Sequence, residues 1–160
     1  MAKKSGFVIW FTGLPTSGKE VLCKIVFREL LDAGLDAEIL DETRSLPEMG
    51  LARGKSPDEL KTNDLIIAHL AKLLARHGVV VIVDTVAPYE SVRSWIREQI
   101  GEFVEVYCPS PIHEASSEAV YEIPEEPDVI VSTEETIQEV GAGFIVKWLA
   151  EKGYVDMVVQ

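Results

Sequence analysis

The sequence contains little cysteine, few basic residues and no long apolar run. Its two cysteines, Cys23 and Cys108, have no histidine or second cysteine at metal-ligand spacing. This excludes a zinc finger and a disulfide-built scaffold, and it predicts two reduced, buried thiols. No apolar run approaches the roughly 20 residues that a membrane span needs. Residues 7–12 are too short for a signal peptide and lack a cleavage site, so we expect a cytoplasmic protein with no membrane partner.

Basic residues are scarcest in the C-terminal part of the chain. The whole sequence holds 15 Lys and Arg against 27 Asp and Glu, a net charge of −12. Residues 101–160 contain 13 acids and only two bases, Lys147 and Lys152. This balance argues against nucleic acid as a partner. Two interpretations stay open: a solvated acidic surface that aids solubility, or a part of the chain that no longer handles polyanionic substrates.

Apolar residues, by contrast, are plentiful and follow alternating strand and helix patterns. They make up 47% of the chain, enough for the core of one domain over residues 1–160. Short apolar runs predict buried strands, and segments of helical period predict the crossovers between them. This alternation favours a three-layer α/β fold with a five-stranded parallel sheet. The predicted strands are residues 7–12, 37–41, 79–83, 103–108 and 128–132, and the longest predicted helix covers residues 56–77.

One motif that carries chemistry lies between the first predicted strand and the first predicted helix. It matches the phosphate-binding loop G-x-x-x-x-G-K-[ST] in seven of its eight positions. In such a loop the backbone N–H groups and the helix N-terminus bind phosphate oxygens, while the lysine reaches the outer phosphates. The motif therefore predicts a P-loop NTPase fold that binds ATP or ADP. Its residues are Gly13, Leu14, Pro15, Thr16, Ser17, Gly18, Lys19 and Glu20.

The eighth position holds Glu20 where a Ser or Thr hydroxyl normally binds Mg²⁺. If its carboxylate points outward, it stabilises the helix N-terminus by about 0.3–1 kcal/mol. If it faces the phosphates, two unit charges about 4 Å apart at an effective dielectric near 20 repel by roughly 4 kcal/mol, which would cancel most of the contribution of Lys19. A third arrangement has Glu20 ligate Mg²⁺ directly, with the ion displaced from its usual position.

Two acids end predicted strands at the sheet edge where ligands collect. Asp84 follows the apolar run 79–83, a pattern that holds Mg²⁺, often through water, in P-loop proteins. Asp41 ends the second predicted strand. Both are candidate catalytic residues, and Asp84 is also a candidate metal ligand. Either acid could instead cap the turn that follows it.

Five segments occur in the same order as in one known family of kinases. They are residues 6–14, 71–80, 87–89, 121–128 and 151–154. Together they resemble the adenylylsulfate kinase family, which transfers the γ-phosphate of ATP to the 3′-hydroxyl of adenosine 5′-phosphosulfate. The resemblance implies the P-loop kinase fold, ATP with Mg²⁺, a homodimer, and substrate contacts from Asn63, Ala87 and Pro88.

The resemblance fails at several positions that would hold the acceptor. The family's Asp-Arg-x-x-Asn-x-x-Arg helix, whose arginines grip the phosphosulfate, aligns with residues 59–66, and only Asn63 matches. The serine and the arginine of the family's Ser-Pro-Tyr-Arg loop are also replaced. The residues at these four positions are Leu60, Ile66, Ala87 and Glu90.

The family's second-strand and lid motifs are altered as well. Its Asp-Gly-Asp stands here as residues 41–43, Asp-Glu-Thr, which keeps only the first acid. Its basic lid is shortened to residues 109–120, which contain no Lys or Arg. Since phosphoryl transfer depends on positioning and on positive charge around the moving group, the sequence predicts a degenerate active site.

Three functions follow from these observations. The first is a nucleotide-binding protein of adenylylsulfate kinase type that is weak or inactive as a kinase. The second is an active kinase that phosphorylates adenosine 5′-phosphosulfate or another small acceptor. The third is a nucleotide-independent regulatory or scaffolding subunit, paired with a sulfate-activating enzyme through its acidic C-terminal part.

Overall fold

The fold is built around one parallel sheet, and a computed structural model of the chain describes residues 6–52, 54–110 and 120–156. The strand order is β2-β3-β1-β4-β5, with all four neighbouring pairs parallel. This confirms the predicted α/β fold with a five-stranded sheet. The strands are β1 (Val8–Thr12), β2 (Ala37–Asp41), β3 (Val80–Asp84), β4 (Phe103–Tyr107) and β5 (Val129–Ile130).

Helices connect the strands, and most of them lie where the apolar periodicity predicts. The long helix α3 begins after Ser56, whose hydroxyl accepts a hydrogen bond from the Glu59 N–H at 3.2 Å. The short helix α2 is not predicted, because its seven residues carry no clear period and include Pro47. The helices are α1 (Lys19–Asp32), α2 (Glu42–Glu48), α3 (Pro57–Arg76), α4 (Glu90–Ile100) and α5 (Gln138–Glu151).

Apolar layers cover both faces of the sheet. Ile9 and Phe11 point into the layer beneath α1 and α5, whereas Val8 and Trp10 point into the layer beneath α3 and α4. Successive side chains of a strand point to opposite faces, so a strand covered on both sides is apolar throughout. None of the helices in the described parts of the chain is long and apolar enough to cross a bilayer.

Both cysteine thiols are buried in the layer beneath α1 and α5. Cys23 lies on α1 and Cys108 directly follows β4, and neither forms a disulfide. Burial raises the pKa of Cys23 well above its usual value and that of Cys108 to about 12. Both groups are therefore neutral, unreactive thiols, which agrees with the prediction of buried cysteines.

The carboxyl ends of the parallel strands meet at one edge of the sheet. Thr12, Asp41 and Asp84 end β1, β2 and β3 there. The chain crosses from β1 to β2, on one side of β1 in the sheet, and later from β3 to β4, on the other side of β1. A crevice at such a reversal of direction is where parallel α/β sheets bind ligands. The sequence motif lies at this crevice.

Candidate phosphate-binding site

The motif forms a tight loop between β1 and α1. Residues Pro15–Ser17 make one 3-10 turn, and Gly18 then adopts a left-handed conformation with φ of 76° as the N-cap of α1. A Cβ atom on Gly18 would lie 2.9 Å from Thr133 Oγ1, and one on Gly13 would lie 2.5 Å from the Cys108 carbonyl oxygen. Only glycine fits at either position. Backbone N–H groups are thereby directed toward the crevice at the start of a 14-residue helix.

Hydroxyl groups from distant segments hold this loop in place. Thr133 Oγ1 donates a hydrogen bond to the Ser17 carbonyl oxygen, and Thr16 Oγ1 lies 2.9 Å from Ser110 Oγ. The sequence reasoning missed Thr133 and Ser110. Both lie in irregular segments without periodicity, so no local signal marks them. The loop is therefore fixed before any ligand binds.

Lys19 forms a buried ion pair with Asp84. Its Nζ lies 3.2 Å from Asp84 Oδ1, and the two side chains are only 7% and 9% exposed. Burial raises the pKa of Asp84, the Lys19 ammonium lowers it, and Asp41 and Glu20 raise it again. The structure thus brings together two of the residues that the sequence predicts at this site, and it joins them directly.

Glu20 points away from the loop. Its carboxylate lies 3.0 Å from Lys24 Nζ one turn further along α1, and its side chain is 65% exposed. Of the three arrangements considered for this residue, the structure contains the outward one. To ligate Mg²⁺, Glu20 would have to leave Lys24 and change its side-chain conformation.

Asp41 caps helix α2. Its Oδ1 accepts hydrogen bonds from the Thr43 N–H at 2.8 Å and from Thr43 Oγ1 at 2.7 Å. It also pairs in register with Asp84 across β2 and β3. Asp41 therefore has the capping role considered above and also lies beside the buried ion pair. Its catalytic role stays a prediction.

The predicted substrate residues lie on α3 and on the loop between β3 and α4. Asn63 is 8% exposed, and its Nδ2 has no hydrogen-bond partner within residues 6–52, 54–110 and 120–156. Ala87 is buried with a φ of 46°, a conformation unusual for a residue with a Cβ, and Pro88 after it is buried. The shortened lid lies largely outside the described residues, which omit 111–119.

A buried arginine that the sequence reasoning missed holds the loop at Ala87. Arg93 is 1% exposed and donates hydrogen bonds to the carbonyl oxygens of Ala87 and Glu122. It also lies 2.6 Å from Glu90 Oε2 and 3.7 Å from Glu105 Oε2. Glu90, which stands in place of a substrate arginine, is therefore turned onto Arg93. The spacing of three residues between Glu90 and Arg93 on a predicted helix was the sequence signal for this ion pair.

Tyr121 connects this region to the phosphate loop. Its hydroxyl lies 2.8 Å from Thr12 Oγ1, and Thr12 Oγ1 donates to the Val86 carbonyl oxygen at 2.7 Å. The guanidinium of Arg93 lies over the Tyr121 ring, 5.4 Å from its centre. Burial raises the pKa of Tyr121, so its hydroxyl stays protonated and available for this hydrogen bond. The end of β1, the Ala87 loop and Tyr121 thus form one connected unit.

The donors at the site can be tested against Mg²⁺, which P-loop kinases use. Nowhere in residues 6–52, 54–110 and 120–156 do three or more His, Cys, Asp or Glu side chains converge as a metal site. Asp84 offers one carboxylate, and the usual hydroxyl is replaced by the outward-facing Glu20. Since Mg²⁺ keeps several waters and binds through one or two carboxylates plus ligand phosphates, these donors fit an ion that the phosphates bring with them.

The chain is similar in sequence to known proteins of one family. The profile of the adenylylsulphate kinase family matches residues 5–126. A probable bifunctional SAT/APS kinase of Sorangium cellulosum is 33% identical over 172 residues, covering 94% of this chain and 30% of that protein. An adenylyl-sulfate kinase of Synechococcus sp. is 30% identical over 173 residues, covering 95% of this chain and 99% of that one. The chain thus spans under a third of the bifunctional relative and nearly all of the other.

The fold comparison agrees with the sequence comparison. The structure of the Mycobacterium tuberculosis APS kinase CysC in complex with AMPPNP and APS superposes with a TM-score of 0.81. It is 25% identical, and the match covers 91% of this chain and 98% of that chain. That structure is a complex with AMPPNP and APS, so a solved protein of this similarity binds both on the same overall fold.

Proposed function

Because the chain belongs to the adenylylsulfate kinase family, we propose that it binds ATP or ADP at Gly13–Lys19 and is weak or inactive as an adenylylsulfate kinase. The observation that carries the first half is the loop itself, with Gly18 left-handed at the start of α1. The second half rests on the loss of positive charge around the acceptor. We further propose a single cytoplasmic domain over residues 1–160.

Nucleotide binding in this proposal depends mainly on the backbone. The N–H groups of the loop and the N-terminus of α1 bind the inner phosphates, and neither depends on the missing hydroxyl. Thr133 and Ser110 fix the loop from outside. Lys19 then adds its charge to the outer phosphates, in competition with Asp84. The backbone of the loop is held in this conformation without a ligand, whereas the Lys19 ammonium is engaged with Asp84.

Phosphoryl transfer is the weak part, because the residues that replace the family's acceptor arginines carry no positive charge. Lys61, a base on the same segment of α3, lies over the Tyr89 ring, 4.9 Å from its centre. Leu60 and Ile66 stand where the family has arginines. Arg93 is buried and bonded to two carbonyl oxygens and to Glu90, so its charge is already neutralised. A phosphosulfate group would meet apolar side chains where the reaction requires positive charge.

The binding site can be tested by calorimetry with ADP and ATP at millimolar concentration. Lys19→Ala should weaken binding by about tenfold or more, since tenfold corresponds to about 1.4 kcal/mol and a charge-assisted hydrogen bond contributes about 1.5–3 kcal/mol. Lys24→Ala is the matched control, because Lys24 lies on the same helix and its side chain is 67% exposed. The absence of binding heat from the wild type would refute nucleotide binding.

Magnesium binding leads to a second test. When bound with nucleotide, Mg²⁺ neutralises phosphate charge, and Asp84 is the residue that would hold it through water. Glu20→Ser should change metal-free ADP affinity by less than about twofold, since exposed charges interact weakly, and should increase the gain in affinity on adding Mg²⁺. A large metal-free gain would mean that Glu20 faces the phosphates in solution.

Assembly is also part of the proposal. One solved relative is named as a hexameric APS kinase from Thiobacillus denitrificans, and the Sorangium relative is named as bifunctional with a SAT activity. We propose that this chain forms a homo-oligomer, a homodimer in the simplest case, and that a sulfate-activating enzyme is its partner. Light scattering of the purified chain, alone and mixed with such an enzyme, measures both associations.

A further inference from the structure

The ammonium of Lys19 is not free to receive a phosphate. It lies 3.2 Å from Asp84 Oδ1, and both side chains are nearly buried. Lys19 is the only basic residue of the motif Gly13–Glu20. Any phosphoryl group that reaches this lysine must therefore share it with a fixed carboxylate.

Among the described side chains that act on Asp84, the negative charges outnumber the positive ones. Asp41 pairs in register with Asp84 on the neighbouring strand. Asp41 and Glu20 both act on Asp84 as further negative charges, and Lys19 acts on it as the positive one. The ion pair neutralises Lys19, and Asp41 then leaves an excess of negative charge at the carboxyl ends of β2 and β3.

The two ends of the phosphate loop differ in how they bind. Backbone N–H groups of the loop and the N-terminus of α1 cradle the inner phosphates, and Asp84 does not compete for these donors. The side chain of Lys19 reaches the outer phosphates, and it is this end that lies against Asp84. A third phosphoryl group adds negative charge where the site already has an excess of it.

We propose that Asp84 is a specificity-determining residue that makes the phosphate loop prefer a nucleoside diphosphate to a triphosphate when no divalent cation is bound. The inference rests on the proposed nucleotide binding and goes beyond it, because it states which nucleotide the site selects. In an ordinary P-loop the lysine favours the triphosphate. Here the carboxylate beside Lys19 reverses that selection.

Calorimetry with ADP and with ATP, in buffer containing EDTA, tests the proposal. The wild type should bind ADP at least about threefold more tightly than ATP. Asp84→Asn should raise ATP affinity by about tenfold or more and ADP affinity by less than about threefold, because the carboxylate repels mainly the outer phosphoryl group. Glu38→Gln is the control: it removes one carboxylate from the exposed surface of β2 and should leave the ratio of affinities unchanged.

Each outcome decides the question. If wild-type protein binds ATP as tightly as ADP, or if Asp84→Asn raises both affinities by the same factor, the selection does not come from Asp84 and the inference is wrong, although nucleotide binding stands. If no variant binds either nucleotide, the proposed function fails and the inference fails with it. The wild-type ratio requires no substitution, and Asp84→Ser provides a second variant if Asp84→Asn does not fold.

Discussion

With ATP, Mg²⁺ and adenosine 5′-phosphosulfate, wild-type protein and Glu20→Ser should both give labelled product at background level. The expected deficit is at least about 10³-fold relative to the roughly 1–100 s⁻¹ of kinases. An arginine that stabilises the transferred phosphoryl group increases the rate by roughly 10³–10⁵ where this has been measured. This chain has Leu60, Ile66 and Glu90 at positions where the family has arginines. The loss is therefore larger than any single repair can restore.

The reason that Glu20→Ser does not restore activity is that the losses lie in separate parts of the mechanism. A serine at position 20 supplies a metal-ligating hydroxyl. It leaves Leu60 and Ile66 in place of arginines, and it leaves Glu90 bonded to Arg93. Charge around the migrating group acts in the transition state, so a restored metal ligand cannot substitute for it.

A radiolabel transfer assay makes this measurement with sufficient sensitivity. The Synechococcus adenylyl-sulfate kinase, which covers 95% of this chain at 30% identity, is a suitable positive control. Turnover near the ordinary kinase range, roughly 1–100 s⁻¹, from either protein would show that other residues of this chain perform the same chemistry. The active-kinase interpretation would then replace the proposed one.

Replacing Arg93 with Met should lower the free energy of unfolding by about 3–5 kcal/mol. Arg93 is 1% exposed and is the partner of two carboxylates, Glu90 and Glu105. Removing one member of a buried ion pair leaves uncompensated charge in a poorly solvated site, and this costs more than the lost contact. The carbonyl oxygens of Ala87 and Glu122 lose their donor as well.

The pH dependence of this variant has a definite sign. Burial raises the pKa of Glu105, and Arg93 is the main group that lowers it. Without Arg93, the pKa of Glu105 in the folded state rises further above its value in the unfolded state. The folded variant therefore binds a proton at Glu105 more readily than the folded wild type does. The stability of Arg93→Met relative to wild type should therefore improve as the pH falls through the raised pKa of the Glu105 carboxyl, and worsen as the pH rises through it.

Urea unfolding of wild type, Arg93→Met and Arg97→Met at two pH values measures both effects. Arg97 is the matched control, because it lies one turn along α4 and pairs with Asp128 at 2.8 Å while its side chain is 37% exposed. Its replacement should cost about 0–1 kcal/mol. Equal losses for the two arginines would mean that Arg93 is solvated and that its contacts do not organise the Ala87 loop.

The sequence by itself determined the sheet and the phosphate loop. Residues 8–11 are apolar without alternation, which is sufficient to predict a strand covered on both faces. Gly18 and Lys19 follow at the spacing that the loop requires, and the structure places Gly18 in the left-handed conformation that glycine allows. These features are local: period, run length and glycine position act within a few residues, so they can be read without knowing what lies opposite.

The tertiary structure decided which charges meet. The side chain of Glu20 can adopt several conformations, and the ion pair with Lys24 stabilises the one that points outward. The ion pair between Lys19 and Asp84 joins residues far apart in the chain, and strand-end position predicted only that they share an edge. The hydrogen bonds from Thr133 to Ser17 and from Arg93 to Glu122 were missed for the same reason, since a hydrogen bond between distant segments leaves no pattern in either of them. Electrostatic contacts depend on distance and burial, and both are set only when the strands and helices are packed together.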